Sequence, residues 1–158
     1  IGPSGVGAPF RSADAKAATE LGLSIAYIGM AGPDGADEAM RRAVAGGAQC
    51  GVLRGTPFLS ADQRRTIVAR AAANRLPAMY ETRDFVDLGG LVSYGADFNE
   101  LFRLAADYVT RILEGADPGG LPIQQSTRIE LVINAKAAKA LDVTIPQSIL
   151  LRADEVIE

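Results

Sequence analysis

Gly89-Gly90-Leu91-Val92-Ser93-Tyr94-Gly95 is the stretch that decides the fold. Leu91 and Val92 suit the interior of a short buried strand, and Ser93 and Tyr94 put hydroxyls toward its carboxyl end. The flanking glycines let the backbone bend or approach another group closely. Upstream, helix and strand patterns alternate; downstream, a long amphipathic helix follows.

Working back from this strand, Leu76-Pro77-Ala78-Met79-Tyr80 has strand character, with Pro77 near the start, where a missing N–H is tolerated. Residues 81–88 read as a short helix or turn with Phe85 and Val86 packed inward. Ser60-Ala61-Asp62-Gln63 has the spacing of a capping box and opens a helix with Ile67, Val68, Ala71 and Ala72 as its buried stripe. Residues 48–53 form the strand before it. Asp34 caps a helix with inner face Met40, Ala43 and Val44, residues 23–28 read as a further buried strand, and Ser12 caps a helix that stops at Gly22. A Gly/Pro-rich loop of the kind that follows a strand opens the chain. This alternation predicts an α/β protein of three layers, αβα, with helices on both faces of a mainly parallel sheet.

Working forward, Asp97 is a natural N-cap, and Phe98, Leu101, Phe102, Ala105, Tyr108, Val109, Ile112 and Leu113 recur at helical spacing. Such a stripe needs a partner surface. Asp117-Pro118-Gly119-Gly120 marks a sharp turn, residues 128–133 alternate like a strand, and Asn134 caps a short Ala/Lys helix. Thr144-Ile145-Pro146 precedes a final helical turn through Ile149, Leu150 and Ala153.

Composition excludes several function classes. The 158 residues are 48% apolar and 22% charged, enough for one well-filled core. Net charge is -3, and the 13 arginines and three lysines are scattered, so no basic footprint for nucleic acid or an anionic membrane is present. Histidine is absent and Cys50 is the only cysteine, which removes most zinc and iron ligand sets and every imidazole-based triad. No metal, cofactor or catalytic residue is expected. Cys50 lies in an apolar stretch, which predicts a buried, inert thiol. No apolar run reaches membrane-spanning length, and a first residue of Ile1 rather than Met points to a processed or trimmed product.

Three runs in order, residues 76–80, 89–95 and Ala106-Asp107-Tyr108-Val109 through Arg111-Ile112-Leu113 to Gly115, resemble the second half of ABC transporter substrate-binding proteins of the tryptophan/tyrosine type. The tail is similar too: Leu121-Pro122-Ile123-Gln124-Gln125, Glu130-Leu131-Val132-Ile133-Asn134, Ala138-Lys139-Ala140-Leu141, Thr144-Ile145-Pro146 and residues 152–158 keep that family's order and spacing. Asp142, Ala135 and Ser126 depart from it, standing where glycine, a larger apolar residue and proline are usual. The resemblance implies a type I periplasmic-binding-protein-like fold, two α/β lobes joined by hinge strands, with most of one lobe lacking here. Residues 1–88 and 120–158 would then form the second lobe, and residues 89–119 a hinge-proximal strand and a helix returning toward the other. It further implies a non-enzymatic, periplasmic or extracytoplasmic lipoprotein-like component that hands an amino acid or related small molecule to an ABC permease. Without its partner lobe, the long helix would expose its stripe, which predicts a homodimer, strand exchange or dependence on a missing partner segment.

In open α/β sheets, ligands bind beyond the carboxyl ends of the strands. Those positions here are Gly29 and Met30, Arg54 and Gly55 with Thr56 and Pro57, Tyr80 and Glu81 with Thr82 and Arg83, and Ser93 with Tyr94, joined by Ser4 and Gly5 if the opening loop follows a strand. Ser4, Thr56 and Ser93 suit a carboxylate, Glu81 an amine, and Tyr94 stacking; Ser93 and Thr56 equally suit local backbone groups. Other features carry less. Gly2-Pro3-Ser4-Gly5-Val6-Gly7 lacks the lysine of a phosphate loop, and Asp34, Asp37 and Glu38 suit a helix dipole better than a metal. Two alternatives belong to other classes: a cytoplasmic ligand-sensing domain of the repressor-effector type, and an α/β enzyme with Asp34 or Glu81 as base.

Overall fold

The strands are short and follow the turn signals of the sequence: β1 (Gly51–Leu53), β2 (Ala78–Tyr80), β3 (Val92–Ala96), β4 (Ile129–Asn134) and β5 (Glu155–Ile157). In the computed structural model, which describes residues 8–30, 33–54, 59–124 and 128–158, they form one five-stranded sheet in the order β1-β2-β3-β4-β5. β1 with β2, β2 with β3 and β4 with β5 are parallel, and β3 with β4 is antiparallel. The α/β expectation with a mainly parallel sheet therefore holds.

Helices α1 (Ala8–Leu21), α2 (Ala36–Ala45), α3 (Ala61–Ala73), α4 (Arg83–Asp87), α5 (Phe98–Leu113), α6 (Ala135–Ala140) and α7 (Gln147–Leu150) complete the chain. Three of them, α3, α5 and α6, begin where a side chain takes up free N–H groups. Ser60 and Gln63 close the full capping box of α3, Asp97 Oδ1 accepts from the Asn99 and Glu100 amides at 2.9 and 3.2 Å, and Asn134 Oδ1 accepts from Ala137 N at 2.8 Å. Each cap of this kind is worth about 1 kcal/mol.

The core lies on one face of the sheet. Strand alternation and register put Ala78, Tyr80, Ser93 and Val132 on that face, where they meet α3 and α4. Ile67, Val68 and Ala71 of α3, Ala36 and Met40 of α2, and Phe85 of α4 are all buried there. The Tyr80 and Phe85 rings stack at 4.7 Å with 10° between planes, and the Arg64 guanidinium sits 5.9 Å from the Phe85 ring centre.

Two glycines of the opening stretch are sterically required. A Cβ at Gly90 would stand 2.7 Å from both the Phe85 carbonyl oxygen and Tyr80 Cε2, and one at Gly95 would run into the Glu81 carbonyl. Gly89 has φ +101°, a region that disfavours side chains. The β3 backbone is thereby seated directly against the β2–α4 connection.

Several expectations differ from what is found. Residues 23–28 form no strand, and Leu23, Ile25 and Tyr27 are exposed: among the described strands β1 is paired only with β2, and these residues do not join its outer edge. Cys50 is exposed, since β1 begins only at Gly51. Val44 and Ala72 face outward, one step beyond the stripes of α2 and α3. Asp34 lies inside a 3-10 turn (Pro33–Gly35) that precedes α2, and α1 starts before Ser12, with Pro9 in its first turn, where no donor is needed. β5 follows directly on the last helical turn, where the sequence carries no strand pattern, and its parallel pairing with β4 needs only three residues.

Two outcomes follow from this packing. In urea denaturation, Gly90→Ala and Gly95→Ala should each lose about 2–3 kcal/mol, and Gly115→Ala, at φ +102° in open space, about 1 kcal/mol; equal losses at all three would refute the close-approach account. Burial raises the Tyr80 pKa from 10.0 to about 12. The folded state then keeps its proton where the unfolded chain ionises, so this contribution is complete below about pH 10 and lost as pH rises toward 12. Stability curves of Tyr80→Phe should be flatter than the parent's across that window, by an amount on the order of 1–3 kcal/mol.

Candidate functional site

β1, β2 and β3 run parallel, so their carboxyl ends open on one side of the sheet. β4 is antiparallel to β3 and begins at that side, bringing Ile129 and Glu130 beside Ala96 and Gly95. The first residues beyond β1 and β2 are Arg54 and Glu81. Because Leu53 is the register partner of Tyr80, these two side chains emerge next to each other, with Arg54 Nε 3.6 Å from Glu81 Oε1. Arg54 Nη1 also donates to both carboxylate oxygens of Asp14 on α1, at 3.2 Å each. All three side chains are partly solvent-exposed, so Coulomb attraction between them is screened.

A second cluster sits beneath the α4 side of the sheet. Arg83 Nη1 lies 3.0 Å from Glu130 Oε1 and 3.0 Å from Glu155 Oε2, and its Nε lies 3.4 Å from Asp87 Oδ2. These partners raise the Arg83 pKa, the Glu155 hydrogen bond most and Asp87 next. Glu130 is only 15% exposed, and a carboxylate so covered needs its cation. Arg83 ties α4 to β4 and β5 and is a structural clasp. Next to Glu81, Thr82 occupies the N-cap of α4 without making a cap bond, and its Oγ1 is buried with no partner among the described residues.

The residues singled out in the sequence do not all converge. Ser4, Gly5, Gly55, Thr56 and Pro57 lie outside the described residues. Tyr80 is 2% exposed and stacked in the core, so its ring belongs to the α3/α4 layer. Ser93 and Tyr94 diverge, as neighbours on a strand must: Ser93 is buried beside Tyr80's register position, whereas Tyr94 is half exposed on the opposite face. Nor do they end the strand, since β3 continues to Ala96. Tyr94 instead lines an open apolar groove of about 440 Å³ with Met79, Val92, Leu131, Ile133 and Ile149. Glu81 does stand at the strand ends. Arg54 stands one residue past β1, among the strand-end positions expected from the sequence, although the sequence assigns it no ligand group.

α5 makes the remaining open surface. None of its residues is buried, and Phe98, Phe102, Val109 and Leu113 are exposed along one stripe. Among the described residues, no helix is long and apolar enough to cross a membrane and no group of three or more acidic or cysteine ligands gathers for a metal ion.

Comparison with known proteins agrees with this architecture. Residues 16–157 match the family described as ABC transporter substrate binding protein. A tyrosine-binding protein of Clostridioides difficile is 31% identical over 77 residues, which is 48% of this chain and 22% of that protein. A conserved domain protein of Vibrio cholerae superposes with a TM-score of 0.77 at 26% identity, covering 94% of this chain and 50% of its own. An ABC domain of Streptococcus pneumoniae, solved in complex with L-Trp, also gives 0.77 at 23% identity, with 98% and 54% covered. The chain thus spans about half the length of these solved structures. Proteins of this kind hold a substrate without transforming it, and with 142 consecutive positions matched (16 through 157), this chain belongs to the ABC transporter substrate-binding protein family.

Proposed function

We propose that this chain is the second lobe of a solute-binding protein that captures an aromatic amino acid, L-tyrosine foremost, in a cleft between two lobes and delivers it to an ABC permease from an extracytoplasmic position. The observation that carries this reading is the family match over residues 16–157, and the 31% identity to a tyrosine-binding protein supports the choice of ligand. The strand ends carrying Arg54 and Glu81 would form the floor of the cleft. Residues 89–119 would cross to the other lobe, whose surface covers the exposed stripe of α5 and the closing of which signals the loaded state to the permease.

The two parts of this reading have separate tests. For the full-length protein carrying this chain, L-tyrosine at a hundred times its Kd should stabilise the folded state by about 2.7 kcal/mol, seen as a rise of several degrees in Tm. No shift with L-tyrosine would reject the ligand assignment. The 158-residue chain alone, lacking a cover for α5, should sediment as a self-associating species, whereas Phe102→Lys with Val109→Lys should shift it toward monomer. A well-behaved parent monomer would reject the inter-lobe role of that helix.

A further inference from the structure

We propose that Arg54 and Glu81 act together as a reader of the α-amino acid zwitterion, Arg54 taking the ligand carboxylate and Glu81 its ammonium; this rests on the amino acid-binding reading above. An α-amino acid carries its two opposite charges on a single carbon, so a protein recognising both needs a cation and an anion side by side. The parallel register of Leu53 with Tyr80 supplies such a pair, one residue beyond each strand, with 3.6 Å between Arg54 Nε and Glu81 Oε1. The Glu81 main chain is held in place by the close approach of Gly95, where no side chain fits, so the acid is presented from a fixed backbone.

Exchange for ligand charges is electrically balanced. The ligand carboxylate replaces a protein carboxylate on Arg54, the ligand ammonium replaces Arg54 on Glu81, and no charge is left unmatched. The contact given up is that of Arg54 with Glu81, 42% and 37% accessible, while Asp14 stays on Arg54, and such exposed pairs contribute little in water. The same charges enclosed with a ligand lose solvent and attract more strongly. Arg54 is suited to the task because a guanidinium offers a planar fork of donors matching a carboxylate.

Calorimetric titration of the full-length protein with L-tyrosine, tyramine and hydroxyphenylpropionate tests each half separately. The parent should prefer L-tyrosine over both analogues by roughly tenfold or more. Arg54→Met should erase the preference over tyramine, which lacks the carboxylate, and keep that over hydroxyphenylpropionate; Glu81→Gln should do the reverse. Arg54→Lys should retain part of the preference. If a variant keeps both preferences, or loses affinity equally for all three compounds, the zwitterion reader is overturned while tyrosine binding stands. A parent that binds none of them overturns the functional reading itself, and the two failures cannot be confused.

Discussion

Everything in this chain depends on how closely the β3 backbone approaches the β2–α4 connection. Gly90 lies against the Phe85 carbonyl and the Tyr80 ring, and Gly95 lies against the Glu81 carbonyl. Between these contacts the strand has little freedom to shift, because the Tyr80–Phe85 stack and the buried residues of α3 fill the space behind it. The constraint links packing to recognition. Glu81 is the first residue past the core-forming Tyr80, so the rigidity of the core sets where the acid stands.

Charge is divided between two tasks by burial. Arg83 is surrounded by Asp87, Glu130 and Glu155 and binds α4 to the distal strands. Removing its charge would leave a covered carboxylate unpaired, which is costly. Arg54 has the same chemistry in a different setting: its carboxylate partners remain in water and Glu81 can be replaced. Asp87 and Glu155 are half-exposed too; what sets Arg83 apart is Glu130, only 15% exposed, whereas both acids at Arg54 keep contact with water.

The helices were more legible in the sequence than the site. Ser60/Gln63, Asp97 and Asn134 announce their helices because capping is a local interaction written in a few consecutive residues. Residues 23–28 carry an equally apolar pattern yet form no strand, since a strand depends on a neighbour that its own residues do not encode. Ser93 and Tyr94 look like a pair of hydroxyls on paper; the period of two sends them to opposite faces, and that much could have been deduced without coordinates. Arg54 and Glu81 are 27 positions apart (81 less 54), and only the parallel register brings them together.

α5 is the place where sequence and structure agree on something neither can complete. Its stripe has the periodicity of a core helix, yet it is capped, regular and unburied. A regular helix with so many exposed apolar residues is not stabilised by local propensity alone, because most helical stability in proteins comes from packing an apolar face. In the proposed two-lobed reading, that face is covered by the other lobe. β3 feeds directly into α5 through the Asp97 cap, and a displacement of the covering surface would pull on Ala96 and Gly95. Gly95 is the residue seated against Glu81. In the proposed two-lobed reading, movement of a lobe covering α5 would reach the proposed ligand-facing acid through three consecutive residues, Gly95, Ala96 and Asp97.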